Sequence, residues 1–445
     1  MTDYQSVANE VADTIMAGGL RPGDRLPPQR EFARRHGIAT STAGRVYQEL
    51  ARRGLTVGEV GRGTFVRAPA DATAGAPTES TGARIDLEVN HPVVPEQARL
   101  LSPGLGRMLR PDALGTVLRH SGAAGTPAAR ESAADLLRRG GWQPDPARVL
   151  FAGNGRQAIT AAISALVPPG GRLGVEEVTY PGVKAMAARL GVVLVPLAVD
   201  GAGLVPEAVE EAHRSAPLQA LYVQPTLHNP LSVTMPPQRR RQLADVLLRL
   251  GVTAVEDTIW AFLHDDVEPL AALAPERTVL VDSLSKRISP GLTLGFAVAP
   301  RAVLAPLATA LRAGGNLPMA FALEAASRWH ADGTVAALVR AKQRAAAERQ
   351  VIARRRLAGF TVRTDPRSYH CWWELPDGWQ SDAFVAAAAR HGIGVLPSSA
   401  FTVGRHRSVD AVRLGYCSPT PDVLSQALAT LADLARSTPD DFLAD

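Results

Sequence analysis

Lys286 is one of three lysines in a chain that otherwise draws its positive charge from 45 arginines. It sits in Ser283-Leu284-Ser285-Lys286-Arg287-Ile288-Ser289-Pro290-Gly291. An arginine guanidinium does not lose its proton in a protein, whereas a lysine amine can, and the neutral amine attacks an aldehyde. A lysine kept amid so many arginines marks a position where amine chemistry is required. Four other polar positions share one context with it, each lying just after a short apolar run. They are Gly153-Asn154-Gly155-Arg156, Glu177-Val-Thr-Tyr180-Pro-Gly182, Pro225-Thr-Leu-His-Asn229-Pro230 and Val255-Glu-Asp257-Thr-Ile-Trp260.

The elements that must position these residues are legible as a pattern. Apolar runs beginning at Arg148, Leu173, Val192, Ala220, Thr253 and Val279 alternate with stretches rich in Ala, Leu and Arg. Continuous apolar strands separated by helices predict an α/β domain with a mostly parallel sheet covered on both faces. Polar residues at the carboxyl ends of parallel strands converge on one crevice. The Gly153–Gly155 turn before a helix offers backbone N–H groups, reinforced by the helix dipole, to a phosphate. A smaller α+β portion is expected from about residue 320 onward, with a long helix over Thr334 to Arg356 and strands near Phe360 and Tyr369.

The first 67 residues read differently. They hold ten arginines and seven acids, and they predict three helices: Tyr4 to Ala17, Leu26 to Gly37 and Ala43 to Arg53. A strand, glycine turn and strand over Leu55 to Val66 would follow as a β-wing with Arg62 at its tip. Two short helices joined by a tight turn, with Ser41 and Thr42 at the start of the third helix, suit a helix set into a DNA groove. Residues 68–84 contain no large apolar side chain and predict a flexible linker. The boundaries expected are therefore 1–67, 68–84, 85–319 and 320–445.

Composition excludes several classes. No apolar run approaches the ~20 residues needed to span a bilayer, and no start of the chain reads as a secretion signal, so a cytoplasmic protein without membrane contact is expected. Cys371 and Cys417 are too few for a disulfide framework and lack metal-ligand spacing, so no metal site is expected. The net charge of +5 is compatible with nucleic acid and decides nothing alone.

Two resemblances carry the reading further. Arg21-Pro-Gly-Asp-Arg-Leu-Pro followed by Gly61-Arg-Gly-Thr-Phe-Val resembles the winged helix-turn-helix of the GntR family of bacterial regulators. That likeness implies Arg30, Ser41, Thr42, Arg45, Arg62 and Gly63 as contacts to double-stranded operator DNA. From about residue 86 to 435 the ordered set of strand-end residues resembles the fold type I, aspartate-aminotransferase-like enzymes that use pyridoxal 5′-phosphate. The match implies that Lys286 forms the Schiff base with the cofactor and that Asp257 pairs with the pyridine nitrogen. It implies Asn229 and Trp260 near the phenolic oxygen, Tyr180 stacked on the ring, and Asn154, Gly155, Arg156, Ser283 and Ser285 around the phosphate. Arg413, in Val412-Arg413-Leu-Gly-Tyr416, would bind an effector carboxylate as a bidentate fork.

Three positions depart from the aminotransferase pattern. Thr293 stands where an arginine contacting the phosphate is usual, so that Arg156 or Arg287 must supply the charge. Trp260 replaces a tyrosine. His120 stands where a tyrosine usually reaches the partner subunit's phosphate. The whole chain resembles the MocR subfamily of transcription regulators, which implies a head-to-tail homodimer sensing a small amine or amino acid, or the cofactor itself. Sensing rather than turnover is the use expected of the second domain. An active aminotransferase with an appended DNA-binding domain, and a regulator whose pocket has lost the cofactor, are the alternatives.

Overall fold

The computed structural model describes residues 4–16, 19–20, 24–52, 55–59, 63–66, 83–404 and 409–437. The chain divides into two compact units, Met1–Ala74 and Gly75–Asp445. No helix among the described residues is long and apolar enough to cross a membrane.

In the first unit, helices Tyr4–Met16, Gln29–His36 and Thr40–Arg52 are followed by antiparallel strands Thr56–Glu59 and Gly63–Val66. Val7, Val11, Phe32, Val46, Leu50 and Val66 meet in one small core. The second helix begins three residues later than its composition suggests. Pro28 is its N-cap residue, and the preceding backbone is drawn into the wing, where Leu26 N donates to Thr64 O at 2.8 Å. Gly37 closes that helix in the left-handed region at φ 62°, where a side chain would be strained. The third helix starts at Thr40 rather than Ala43, which puts Ser41 and Thr42 inside its first turn.

The second unit is built on a seven-stranded sheet. Its strands in chain order are β1 (Val149–Ala152), β2 (Arg172–Glu176), β3 (Val193–Leu197), β4 (Ala220–Val223), β5 (Thr253–Asp257), β6 (Thr278–Ser283) and β7 (Gly295–Val298). Across the sheet they run β1-β7-β6-β5-β4-β2-β3, and only β7 is antiparallel to its neighbours. Six of the seven coincide with the apolar runs. The seventh, Gly-Phe-Ala-Val, follows directly on a proline- and glycine-rich turn that hides it. Every residue of β1, β4, β5, β6 and β7 is buried, as a parallel sheet with both faces covered requires.

A second, antiparallel sheet of four strands follows the 23-residue helix Thr334–Arg356. Its order is Thr361–Arg363, His370–Glu374, Ala411–Gly415, Leu396–Pro397. The strand Ile85–Asp86 pairs with Ile393–Gly394 next to this C-terminal layer, and Gly415 N then donates to Leu87 O at 2.8 Å. Residues 85–91 are thus fastened to the far end of the chain before entering the crevice of the large sheet.

Candidate functional site

At the carboxyl ends of β1, β2, β4, β5 and β6 lies a cavity of about 350 Å³. Its wall includes Asn154, Gly155, Arg156, Tyr180, Asn229, Asp257, Trp260, Ser285, Lys286, Thr293 and Arg413. Ten of the eleven residues expected at a cofactor or its effector are therefore brought to one hollow. The eleventh, Ser283, is fully buried and does not line it. Its hydroxyl shares a 2.9 Å hydrogen bond with Thr293 Oγ1 and accepts from Ser285 N, capping the short helix Leu284–Arg287 that carries the lysine.

Lys286 Nζ donates to Asn90 O at 2.6 Å and contacts His91 Nδ1. It also lies 5.4 Å from the centre of the Trp260 ring, so the indole offers the amine its face. These neighbours favour the ammonium, yet burial dominates and pushes the Lys286 pKa down to about 7. Arg156, Arg413 and Lys342 reinforce that shift, and Cys417 opposes it. The neutral amine is then accessible near neutral pH. His91 is itself driven down to about 4, by burial first and then by Lys286, and so presents a neutral ring.

Asp257 lines the same cavity. It ends β5, is 4 % exposed, and accepts from Tyr222 Oη and Gln224 Nε2, both at 2.8 Å on Oδ2, and from Ile259 N at 3.0 Å on Oδ1. Tyr222 reaches it because β4 pairs with β5 in a register that sets Tyr222 against Val255, two residues before Asp257 on the same face. Burial still outweighs these donors and raises the carboxyl to about 6.

Asn154 caps the 12-residue helix Gly155–Leu166, its side chain accepting from Gln157 N at 3.0 Å. Arg156, at that helix's first turn, directs Nε to the Tyr180 hydroxyl at 3.0 Å. Of the two arginines expected to replace the charge lost at Thr293, Arg156 lines the cavity. Arg287 does not: it is buried with Nη2 2.6 Å from Asp282 Oδ2. Arg413, 4 % exposed in the C-terminal sheet, donates from Nη2 to Glu88 O. Its Nε is buried with no partner, as is Asn229 Oδ1. His120 is exposed and stands outside the cavity wall.

The residues present fit pyridoxal phosphate. Asn229 and Arg413 both line the hollow, and each holds one buried polar atom without a hydrogen-bond partner, Oδ1 and Nε. A Cβ on Gly155 would come within 3.0 Å of Ser283 Cβ, so the cradle at the helix start is closed to side chains. A buried carboxylate and a buried amine line the same space. Tyr222, Gln224, Asn90 and His91 belong to this constellation without having been singled out in the sequence. Gln224 directly follows an apolar strand, the same signal that exposed its neighbours. Asn90 and His91 follow no long strand and give no such signal.

In the first unit, Arg30, Ser41 and Arg45 are exposed and Thr42 is half-buried, while Gly63 opens the second wing strand. Arg62 lies outside the described residues.

Comparison with known proteins agrees with both halves. Residues 85–431 match the family Aminotransferase class I and II, and residues 3–66 match Bacterial regulatory proteins, gntR family. The uncharacterized HTH-type transcriptional regulator YdeF of Bacillus subtilis is 30% identical over 435 residues, covering 97% of this chain and 94% of the relative. The pyridoxine biosynthesis transcriptional regulator PdxR of Corynebacterium glutamicum is 25% identical, over 96% of this chain and 94% of its own. The probable rhizopine catabolism regulatory protein MocR of Rhizobium meliloti is 25% identical, over 96% and 92%. An archaeal alanine:glyoxylate aminotransferase shares the fold at a TM-score of 0.72 and 21% identity, over 79% of this chain and 90% of that one. The chain belongs to the aminotransferase class I and II family, in the MocR subfamily of GntR-type transcription regulators.

Proposed function

We propose that this protein is a pyridoxal 5′-phosphate-binding transcription regulator that binds operator DNA through its winged helix-turn-helix and responds to a small amine or amino acid at Lys286. The observation that carries this reading is the pairing of Lys286 and Asp257 in one cavity of a chain that also holds a gntR-family domain. The cofactor, when bound, supplies an aldehyde carbon for an amine and a ring that withdraws electrons. Lys286 provides the amine, accessible in its neutral form near neutral pH. Asp257 provides the anion for the ring nitrogen, and the donors Tyr222 and Gln224 help it stay ionised. The start of helix Gly155–Leu166, with Arg156 and Ser285, provides N–H groups and charge for the phosphate. Arg413, in the cavity wall, offers its guanidinium to a carboxylate on the incoming effector.

A regulator of this design acts in the cytoplasm as a head-to-tail homodimer. With the cofactor bound, Lys286 would hold its aldehyde carbon and an effector amine would compete for it, and the effector's preference for one arrangement of the C-terminal subdomain would shift the placement of the DNA-binding domains. That shift can be no larger than its difference in affinity for the two arrangements. Turnover is not needed, which suits a site with threonine at 293 and no tyrosine at 260.

A second reading has the cofactor itself as the signal. It is favoured by the relative from Corynebacterium glutamicum, whose name assigns it to regulation of pyridoxine biosynthesis. The purified protein titrated with pyridoxal 5′-phosphate and then with amines, followed by absorbance and by operator binding, tests both. A protein that stays colourless refutes both. Operator release on cofactor addition alone selects the second reading, and sustained product formation from an amino donor and a keto acid identifies an enzyme instead.

A further inference from the structure

Lys286 is not the only amine removed from water in this unit. Lys342, on the helix Thr334–Arg356, is fully buried. Its Nζ donates to Lys286 O at 2.9 Å and to Ile288 O at 2.7 Å. Those carbonyls belong to the last turn and the C-cap of Leu284–Arg287, where no intrahelical N–H remains to satisfy them. Among the described residues no carboxylate forms an ion pair with Lys342. A buried cation without a counter-ion is costly, and an apolar side chain of similar length would fill the space at less cost. A chain that carries 45 arginines nevertheless has lysine at this point.

We propose that Lys342 is a positioning residue for Lys286: by gripping the carbonyls of Lys286 and Ile288 it fixes the Lys286 amine at the cavity. The inference rests on Lys286 being the reactive amine of the site. The mechanism is elementary. A cation at the end of a short helix satisfies its free carbonyls, and a like charge close to a second amine disfavours protonation of that amine. The groups facing Lys286 are Asn90 O, His91, the Trp260 ring, Cys417, Arg156, Arg413 and Lys342. Burial lowers the Lys342 amine to about 8 and Cys417 acts against that shift, while the Tyr369 hydroxyl donates to the Lys342 carbonyl at 2.7 Å. The helix that carries Lys342 also packs against the C-terminal helix Pro421–Arg436, so the grip ties the reactive lysine to the C-terminal layer.

With three lysines in the chain, isotope-labelled lysine should yield three side-chain signals in the full-length apo protein. Lys184→Arg and Lys286→Met assign them. A pH titration of the wild type should place the Lys286 midpoint near neutrality, with a second inflection where Lys342 titrates. In Lys342→Met the midpoint should rise, and Lys342→Arg should restore it. An unchanged Lys286 midpoint in a folded Lys342→Met protein would reduce Lys342 to packing. If that variant does not fold, a wild-type Lys286 curve without the second inflection overturns the proposal equally. Cofactor binding is read separately by absorbance, so a colourless protein with coupled lysines would refute the sensor and leave this inference standing.

Discussion

The Tyr222 hydroxyl donates to Asp257 Oδ2 at 2.8 Å from the neighbouring strand, and both groups are buried. The bond favours the carboxylate, whose pKa burial has already raised to about 6. Tyr222→Phe keeps the ring and removes the donor. A hydrogen bond to a charged group contributes roughly 1.5–3 kcal/mol, equivalent to about one to two pKa units. The carboxyl in this variant should therefore titrate near or above neutrality. The check is the pH dependence of the bound cofactor's absorbance, whose transition should move upward; an unmoved transition refutes the role given to Tyr222.

The pH dependence of aldehyde capture follows from the Lys286 shift. An amine attacks when neutral, above its pKa, and that pKa is lowered to about 7. At pH 7 the neutral fraction is roughly a thousandfold greater than for an unperturbed lysine. The rate at which apo protein captures pyridoxal 5′-phosphate should climb through about pH 7 and level off above it. A midpoint near 10 would show that the amine is not desolvated. Lys286→Ala should abolish both the absorbance and the effector response.

The role proposed for Arg413 is to set effector class. A guanidinium fork recognises a planar carboxylate in a way that a lysine point charge does not. Arg413→Lys should weaken amino-acid effectors by roughly 1.5–3 kcal/mol, about ten- to a hundredfold, while simple amines bind as before. Parallel titrations with an amino acid and its decarboxylated amine measure the difference. Equal losses for both would remove Arg413 from recognition.

Gly182 makes room for Tyr180. A Cβ at position 182 would overlap the Tyr180 ring at Cε1, Cζ and Oη. Gly182→Ala should push the ring out of line with Arg156 and weaken cofactor binding about tenfold, with little effect on thermal stability, since the ring can turn toward the cavity. Binding at wild-type strength would mean that Tyr180 is not a stacking partner.

On the DNA side, Arg30 is exposed on the second helix. If it neutralises one phosphate, Arg30→Ala should lower the slope of log affinity against log salt by about 0.9. Binding isotherms at several salt concentrations decide this. An unchanged slope would make Arg30 a solvated surface charge.

Much of the site was legible because parallel sheets deliver strand-end residues to one edge. Asn154, Tyr180, Asn229, Asp257 and Lys286 each follow a buried apolar strand, and all line the cavity. Ser283 shows the limit of that reading: the family resemblance put it at the phosphate, whereas its hydroxyl is committed to Thr293 and the local helix cap. Arg287 is a similar case, since composition could not say which of two arginines faces Asp282 and which the hollow. The start of the second helix shifted for a comparable reason, because Leu26 pairs with the wing through its backbone.

By itself the order of residues determined the two-part architecture, the crevice and the amine within it, because periodicity and strand-end position are local properties of a chain. Only the tertiary structure decided what surrounds that amine. Asn90 arrives from 196 residues away and Lys342 from 56, carried by the C-terminal layer and the long helix. Burial and Coulomb fields depend on distance through space rather than along the chain, so the protonation of Lys286 was settled by folding.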